Sequence, residues 1–173
     1  MTLGTTYFYT ATILNWTPLL YNDEFKKIIL NSLEFLVLKN KLIVYGFVIM
    51  PNHIHIIWQN IKLNGKETPC ESFMKFTAHE FQTQLRLSND NLHNNFLVKK
   101  SDRNTQFWQR GALPIEILSR EMLEQKLNYI HLNPLQQHWN LVTDPNDYVF
   151  SSCSFYGRND HRYSWLRDYR EDF

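Results

Sequence analysis

The stretch from Leu42 to Gln59 constrains the fold most. Leu42 to Met50 is an almost unbroken apolar run around Gly46. Pro51-Asn52 follows, and His53-Ile54-His55-Ile56-Ile57-Trp58-Gln59 is apolar again. A run of this length, rich in Ile, Val, Tyr and Phe, reads as a strand buried on both faces. Proline and asparagine break it and supply a turn. Two such runs joined so closely pair as an antiparallel hairpin. Strand side chains alternate, so His53, His55 and Ile57 share one face and Ile54, Ile56 and Trp58 the other. Two neutral imidazoles side by side on a rigid strand are a ready pair of ligands for a divalent metal. The same residues would also serve as two ordinary half-buried histidines, each tied to a backbone carbonyl.

The rest of the chain frames this hairpin. Thr5 to Leu14 is rich in Thr, Tyr and Phe and reads as a strand. Asn22-Asp23 opens a helix whose apolar stripe is Phe25, Ile28, Ile29, Leu33, Leu36 and Val37. Thr68-Pro69-Cys70-Glu71 is a strong helix start, with Thr68 as cap, Pro69 at the first helical position and Glu71 closing a capping box. Phe73, Phe76, Phe81 and Leu85 are its core candidates. Lys75, His79, Gln82 and Arg86 form a polar, partly basic stripe. Ser88 to Gln106 is Asn-rich, carries Lys99, Lys100 and Arg103, and reads as a long loop. Ile115 to Leu118 suits a short strand. Ser119 caps a third helix that runs to about Asn133 and stops at Pro134. The order is that of an α+β, ferredoxin-like βαββαβ core with an antiparallel sheet and a further C-terminal helix. Helices are expected on one face, leaving the histidine face open for a site.

The chain has 173 residues, enough for one domain with a proper core. We read residues 5–157 as that core and 158–173 as a tail, where arginines mix with aromatics. This mixture fits single-strand binding, though a solvated tail is the simpler expectation. Aromatics make up 15% of the residues, which excludes a disordered chain, and the net charge of +1 gives no bulk attraction to nucleic acid. Any such binding must come from local patches. The two cysteines, Cys70 and Cys153, show no zinc or redox spacing and are expected to be reduced thiols. No apolar run is long enough to span a bilayer, and the start Met1 to Tyr7 does not read as a signal peptide. The expected location is the cytoplasm.

The third helix supplies the other half of a site. Leu123, Leu127 and Ile130 should bury. Met122, Lys126, Tyr129 and Asn133 form an adjacent stripe, and residues four apart on a helix are stacked neighbours. A tyrosine hydroxyl and an asparagine amide oxygen can therefore reach one point in space. Asn133 adds a hard oxygen donor to the two imidazoles, a three-ligand set with open positions that suits Mg²⁺ or Mn²⁺ on a phosphate. Tyrosine is a poor nucleophile at neutral pH because its pKa is about 10. A metal that withdraws charge from the phosphate and orients it changes this. The tyrosyl phosphodiester would conserve the bond energy and allow a strand to be resealed. Taken singly, an interfacial tyrosine and an asparagine at a helix end are common features.

Four segments in this order resemble the single-tyrosine HUH transposases, and most of all their REP-associated tyrosine transposase branch. They are Tyr7-Phe8-Tyr9-Thr10, Met50-Pro51-Asn52-His53-Ile54-His55, Phe107-Trp108-Gln109-Arg110 and Tyr129-Ile130-His131-Leu132-Asn133-Pro134. Tyr148 to Tyr156, with Ser151-Ser152, is similar to the family's C-terminal end. The resemblance implies that His53, His55 and Asn133 hold the metal and that Tyr129 is the nucleophile. It also implies cutting of single-stranded DNA beside a hairpin, through a 5′-phosphotyrosine with release of a 3′-hydroxyl. The family usually continues after Asn-Pro with Val-Arg-Ala-Gly. Here the chain reads Leu135-Gln136-Gln137-His138-Trp139, which bears on the local backbone and on any DNA contact made there. Members of the wider family exchange tyrosines within dimers, whereas this branch resembles monomers, and a monomer is the expectation.

Lys75, Lys99, Lys100, Trp108, Arg110 and Lys126 are candidate DNA contacts. Trp108 with Arg110 could clamp a flipped base, or be a core indole beside a surface cation. Lys126, one turn before Tyr129, could steady a phosphate or be a solvated lysine. Glu116 could support the histidines, though an edge-strand carboxylate is the simpler reading. His79 and His131 read as structural or DNA-facing rather than as ligands. A histidine-triad nucleotide hydrolase would need a third alternate histidine where Ile57 stands. A non-catalytic nucleic-acid module on the same scaffold, or an inactive relic that still binds DNA, remains as the rival reading.

Overall fold

The computed structural model describes residues 1–88, 91–100 and 103–173. The strands of the main sheet are β1 (Thr6–Thr12), β2 (Leu42–Ile49), β3 (His53–Asn60) and a short fourth, Ile115–Glu116. That fourth becomes β6 in chain order, because the stretch read as a loop holds a small hairpin, β4 (Leu97–Lys100) with β5 (Arg103–Thr105). Its strands are too short and too polar to show an alternating pattern. The sheet order is β2-β3-β1-β6, antiparallel throughout, which is the expected ferredoxin-like arrangement.

Two helices cover one face. α1 (Asp23–Leu38) starts where the Asn22 side chain accepts the Glu24 N–H. α2 (Pro69–Leu87) starts on a complete capping box between Thr68 and Glu71. Phe25, Ile29, Leu33 and Leu36 of α1 and Phe73, Phe81 and Leu85 of α2 are buried against Tyr9, Ile54, Ile56 and Trp58 of the sheet. Phe76 is a correction to the expected core: it is 49% exposed. The buried line runs through 73, 77, 81 and 85, and Phe76 falls beside it.

The opposite face is not left open, as the sequence led us to expect. α3 (Arg120–His131) lies across it, packing Leu123, Leu127 and Ile130 on Phe8, Tyr45, Val48 and Ile57. Gly46 permits this approach, since a methyl there would fall onto the Leu127 side chain and crowd Ser152 Oγ at 3.2 Å. The Ser119 hydroxyl caps α3 by accepting the Met122 N–H, and a 3-10 turn at Asn133–Leu135 ends it at Pro134.

The C-terminal region is also packed rather than solvated. A short helix, α4 (Cys153–Arg158), follows buried Ser151 and Ser152. Trp165 and Leu166 bury in the core of the helix-covered face. The Arg167 N–H donates to Val44 O at 3.0 Å, and the Tyr156 hydroxyl to Tyr45 O at 2.6 Å. Its arginines are engaged by acidic neighbours: Arg158 by Asp144 and Asp147, Arg162 by Asp160, Arg167 by Glu171 and Asp172, Arg170 by Asp168. The tail therefore offers little unbalanced positive charge to a nucleic acid. Cys70 and Cys153 are free and buried. Among the described residues no helix is long and apolar enough to cross a membrane.

Candidate active site

The register of the sheet puts Thr12 opposite His53, Thr10 opposite His55 and Phe8 opposite Ile57. Directly opposed residues share a face, so two threonine hydroxyls stand beside the two imidazoles. The His55 Nδ1 lies 2.7 Å from Thr10 Oγ1. His53 Nδ1 lies 2.7 Å from Asn52 Oδ1, while Asn52 Nδ2 donates to the Trp16 carbonyl at 3.3 Å. With the Asn52 amide nitrogen so used, its oxygen must accept, and the proton sits on His53 Nδ1. Both imidazoles are thus held by Nδ1, which leaves each Nε2 to act as a ligand.

The rings of His53 and His55 are 4.8 Å apart at 74°, and Phe8 stacks on His55 at 5.4 Å. Both histidines are buried. Burial drives the His53 imidazole down to about 4, Asn133 in hydrogen-bonding contact opposes this, and the nearby His138 adds to it. Burial likewise takes His55 to about 3, helped by His53 and by Lys126. Both are therefore neutral at physiological pH, the form in which imidazole binds a metal.

α3 brings the remaining residues. The Tyr129 ring lies 5.3 Å from that of His55 and 6.1 Å from that of Phe8, and Tyr129 is 45% exposed. Asn133, on the turn that ends the helix, is buried with its amide against His53. An amide and two imidazoles form an incomplete donor set. Among the described residues no three His, Cys, Asp or Glu side chains gather to hold a metal.

The structure brings together His53, His55, Tyr129, Asn133 and Lys126. The Lys126 ammonium lies 5.1 Å from the Phe8 ring centre. It places the other candidates elsewhere. Trp108 is a core residue whose indole N–H donates to Thr77 Oγ1 at 3.0 Å, with its ring against Phe81. Little of it is exposed, though it lines the same groove as Arg110. Lys75 is exposed and paired with Glu67 at 2.6 Å. Lys75 and Arg110 line a groove of about 810 Å³ beside α2, with Tyr9 and Cys70 of the helix-covered side among its lining. Lys99 is exposed on the small hairpin, and the Lys100 side chain lies outside the described residues. Glu116 is an exposed edge-strand carboxylate opposite Tyr7, at the end of β1 away from Thr10 and Thr12. His131 is structural, with Nε2 2.8 Å from Ser152 Oγ, and His79 pairs with Glu80 on the surface.

Asn52, Thr10, Trp16, His138 and Trp139 escaped the sequence reading. Asn52 had a signal, standing next to His53 in the turn. Thr10 had none, because register between strands 45 residues apart is not written in either strand.

No protein-family profile matches the chain, and no curated protein sequence matches it. Solved structures do. A REP-associated tyrosine transposase bound to a REP hairpin superposes with a TM-score of 0.60 at 18% identity, covering 96% of this chain and 84% of that one. A protein of Deinococcus radiodurans R1 described as a candidate transposase gives a TM-score of 0.45 at 13% identity, covering 75% of this chain and 91% of that one. Over nearly its whole length, the chain has the fold of a REP-associated tyrosine transposase.

Proposed function

We propose that this protein is a metal-dependent enzyme that nicks and rejoins single-stranded DNA beside a hairpin, as a transposase does, through a covalent 5′-phosphotyrosine. The observation that carries this reading is the meeting of Tyr129 with His55, and of Asn133 with His53, at one place on the sheet. The neighbour of like fold, solved on a REP hairpin, supports DNA as the partner.

His53 and His55, through Nε2, and Asn133, through its amide oxygen, would hold Mg²⁺ or Mn²⁺. The held, neutral imidazoles and the open remainder of the donor set fit a hard cation that also takes substrate oxygens. When bound, the metal would withdraw charge from the scissile phosphate. The chain's own residues do the rest. Asn52 fixes the tautomer of His53, and Asn52 and Thr10 set the tilt of the two rings. Phe8 supports His55 and Lys126 from below. Lys126 brings positive charge to the site. The Tyr129 hydroxyl gives up its proton to water as its oxygen attacks phosphorus, the P–O bond to the 3′ oxygen breaks, and that freed oxygen takes up a proton from water to become the 3′-hydroxyl. Reversal reseals the strand. Tyr129 stands beside the histidines of its own chain, which supports a monomer acting in cis.

Incubating the protein with labelled hairpin DNA and Mn²⁺ should give a protein–DNA band that survives denaturation. The band should vanish with EDTA, with Tyr129→Phe and with His55→Ala. Binding without any such band would favour a DNA-binding module instead.

A further inference from the structure

The chain has five tryptophans. Trp58, Trp108 and Trp165 are buried. The two that reach solvent, Trp16 and Trp139, come from loops more than a hundred residues apart, yet both rest on the same histidine. The Trp16 ring is 6.3 Å from His53 at 70°, and the Trp139 ring 6.1 Å at 46°. His138 lies against Trp139 at 5.2 Å.

Trp139 is half-buried against the cluster under α3, whereas Trp16 is not where burial alone would put it. Trp16 is 59% exposed. It sits on strained backbone: Asn15 and Trp16 have φ of 55° and 56°, the left-handed region that costs side-chain-bearing residues energy. The turn is pinned in that shape from outside. Ile13 N–H donates to Asn52 O at 2.8 Å, Leu20 N–H to Pro51 O at 2.9 Å, and Asn52 Nδ2 to the Trp16 carbonyl. Asn52 thus orients His53 with one end of its amide and holds the Trp16 turn with the other. Trp139 is set by a second tight turn, where its N–H and that of left-handed Asn140 both reach Gln136 O. It belongs to the Leu135–Trp139 segment, where the chain departs from the pattern of the family it resembles.

We propose that Trp16 and Trp139 are base-stacking residues that grip the nucleotides on either side of the phosphate held at His53 and His55. The proposal rests on the reading of the site as a single-stranded DNA site. A phosphate there carries a base on each side, and each indole lies one ring's distance from His53. Stacking is available to every base and needs no sequence-specific hydrogen bond. The pair would therefore hold the strand in register at the cut and keep bases out of the histidine pocket, while sequence is read elsewhere.

The test measures affinity without metal or cleavage, so it fails separately from the adduct assay. An oligothymidylate and an abasic strand of equal length would be titrated in EDTA against the full chain, Trp16→Ala, Trp139→Ala and both phenylalanine variants. Wild type should prefer the strand with bases. Each alanine variant should lose about tenfold to a hundredfold on it and nothing on the abasic strand, and phenylalanine should restore part of the loss. Oligothymidylate should also quench wild-type tryptophan fluorescence, and less so in the variants. Equal losses on both strands, an unchanged preference, or no wild-type binding to either strand would each overturn the proposal. Trp16 is exposed, so Trp16→Ala should fold normally and decides the matter if Trp139→Ala does not.

Discussion

The two faces of the sheet are built on opposite principles. Behind β1 and β3, α1 and α2 close a dry core of stacked and edge-on aromatics, with Phe73 against Trp58 and Phe81 against Phe25 and Trp108. In front, α3 covers only part of the surface, and the remainder carries buried His53 and His55 beneath exposed Tyr129 and two tryptophans that reach solvent. The first face is determined by apolar area and is silent about chemistry. The second buries polar groups and holds each by a hydrogen bond: Thr10 and Ser152, from other segments, for His55 and His131, and Asn52, its neighbour in the turn, for His53. Stability should therefore reside mainly behind the sheet and function mainly in front.

Truncation behind the sheet should cost most. Phe73→Ala should lower stability by about 3–5 kcal/mol, seen as an early chemical-denaturation midpoint, while any protein that remains folded should keep the proposed metal-dependent chemistry. A mild cost would mean that this face is less tightly packed than its aromatic contacts indicate. Gly46→Ala probes the front. The added methyl pushes on Leu127, two residues before Tyr129, and should cost about 1–3 kcal/mol. DNA cleavage should fall by more than the folded fraction does, because the helix that carries Tyr129 must shift. A parallel loss of both would break the distinction between the faces.

Acid should act through the front face as well. Burial holds His131 at about 4, as it lowers His53 and His55. The unfolded chain takes up these protons near 6.5. Stability from each neutral histidine is thus complete above that pH and declines as pH falls towards 4, by at most about 1.4 kcal/mol per unit per group. Thermal midpoints measured from pH 7.5 down to 5 should fall, and His131→Gln should flatten the slope. An identical slope would assign the acid sensitivity elsewhere. The smallest effect belongs to the exposed pair of Lys75 with Glu67, where Lys75→Ala should leave the denaturation midpoint unchanged within replicate scatter.

Much of the sheet and its helices was legible because the signals were local. A capping box, an apolar stripe and a Pro-Asn turn each speak for their own segment. The catalytic candidates could be picked out too, since His53 with His55 obey the strand period and Tyr129 with Asn133 the helix period, although Asn133 stands on the turn just past the end of α3. What escaped was whatever depended on two segments meeting. The Thr10–His55 pair needs the register of β1 on β3, and the Trp16 turn needs its bonds to Pro51 and Asn52. Trp108 also needed the fold: beside Arg110 in sequence it looks like a base clamp, and the fold largely buries it with its N–H on Thr77 while leaving it in the lining of a groove that Arg110 shares. The arginines of the tail also look available in sequence, until their acidic partners are placed beside them.

The central claim is that Tyr129 is the residue that joins DNA. The most direct measurement is peptide mapping of the denaturation-resistant adduct formed on hairpin DNA with Mn²⁺. The account predicts one modified peptide, containing Tyr129 esterified to a 5′-phosphate, formed by wild type and absent from Tyr129→Phe. An adduct on another residue, or one that persists in Tyr129→Phe, would contradict it.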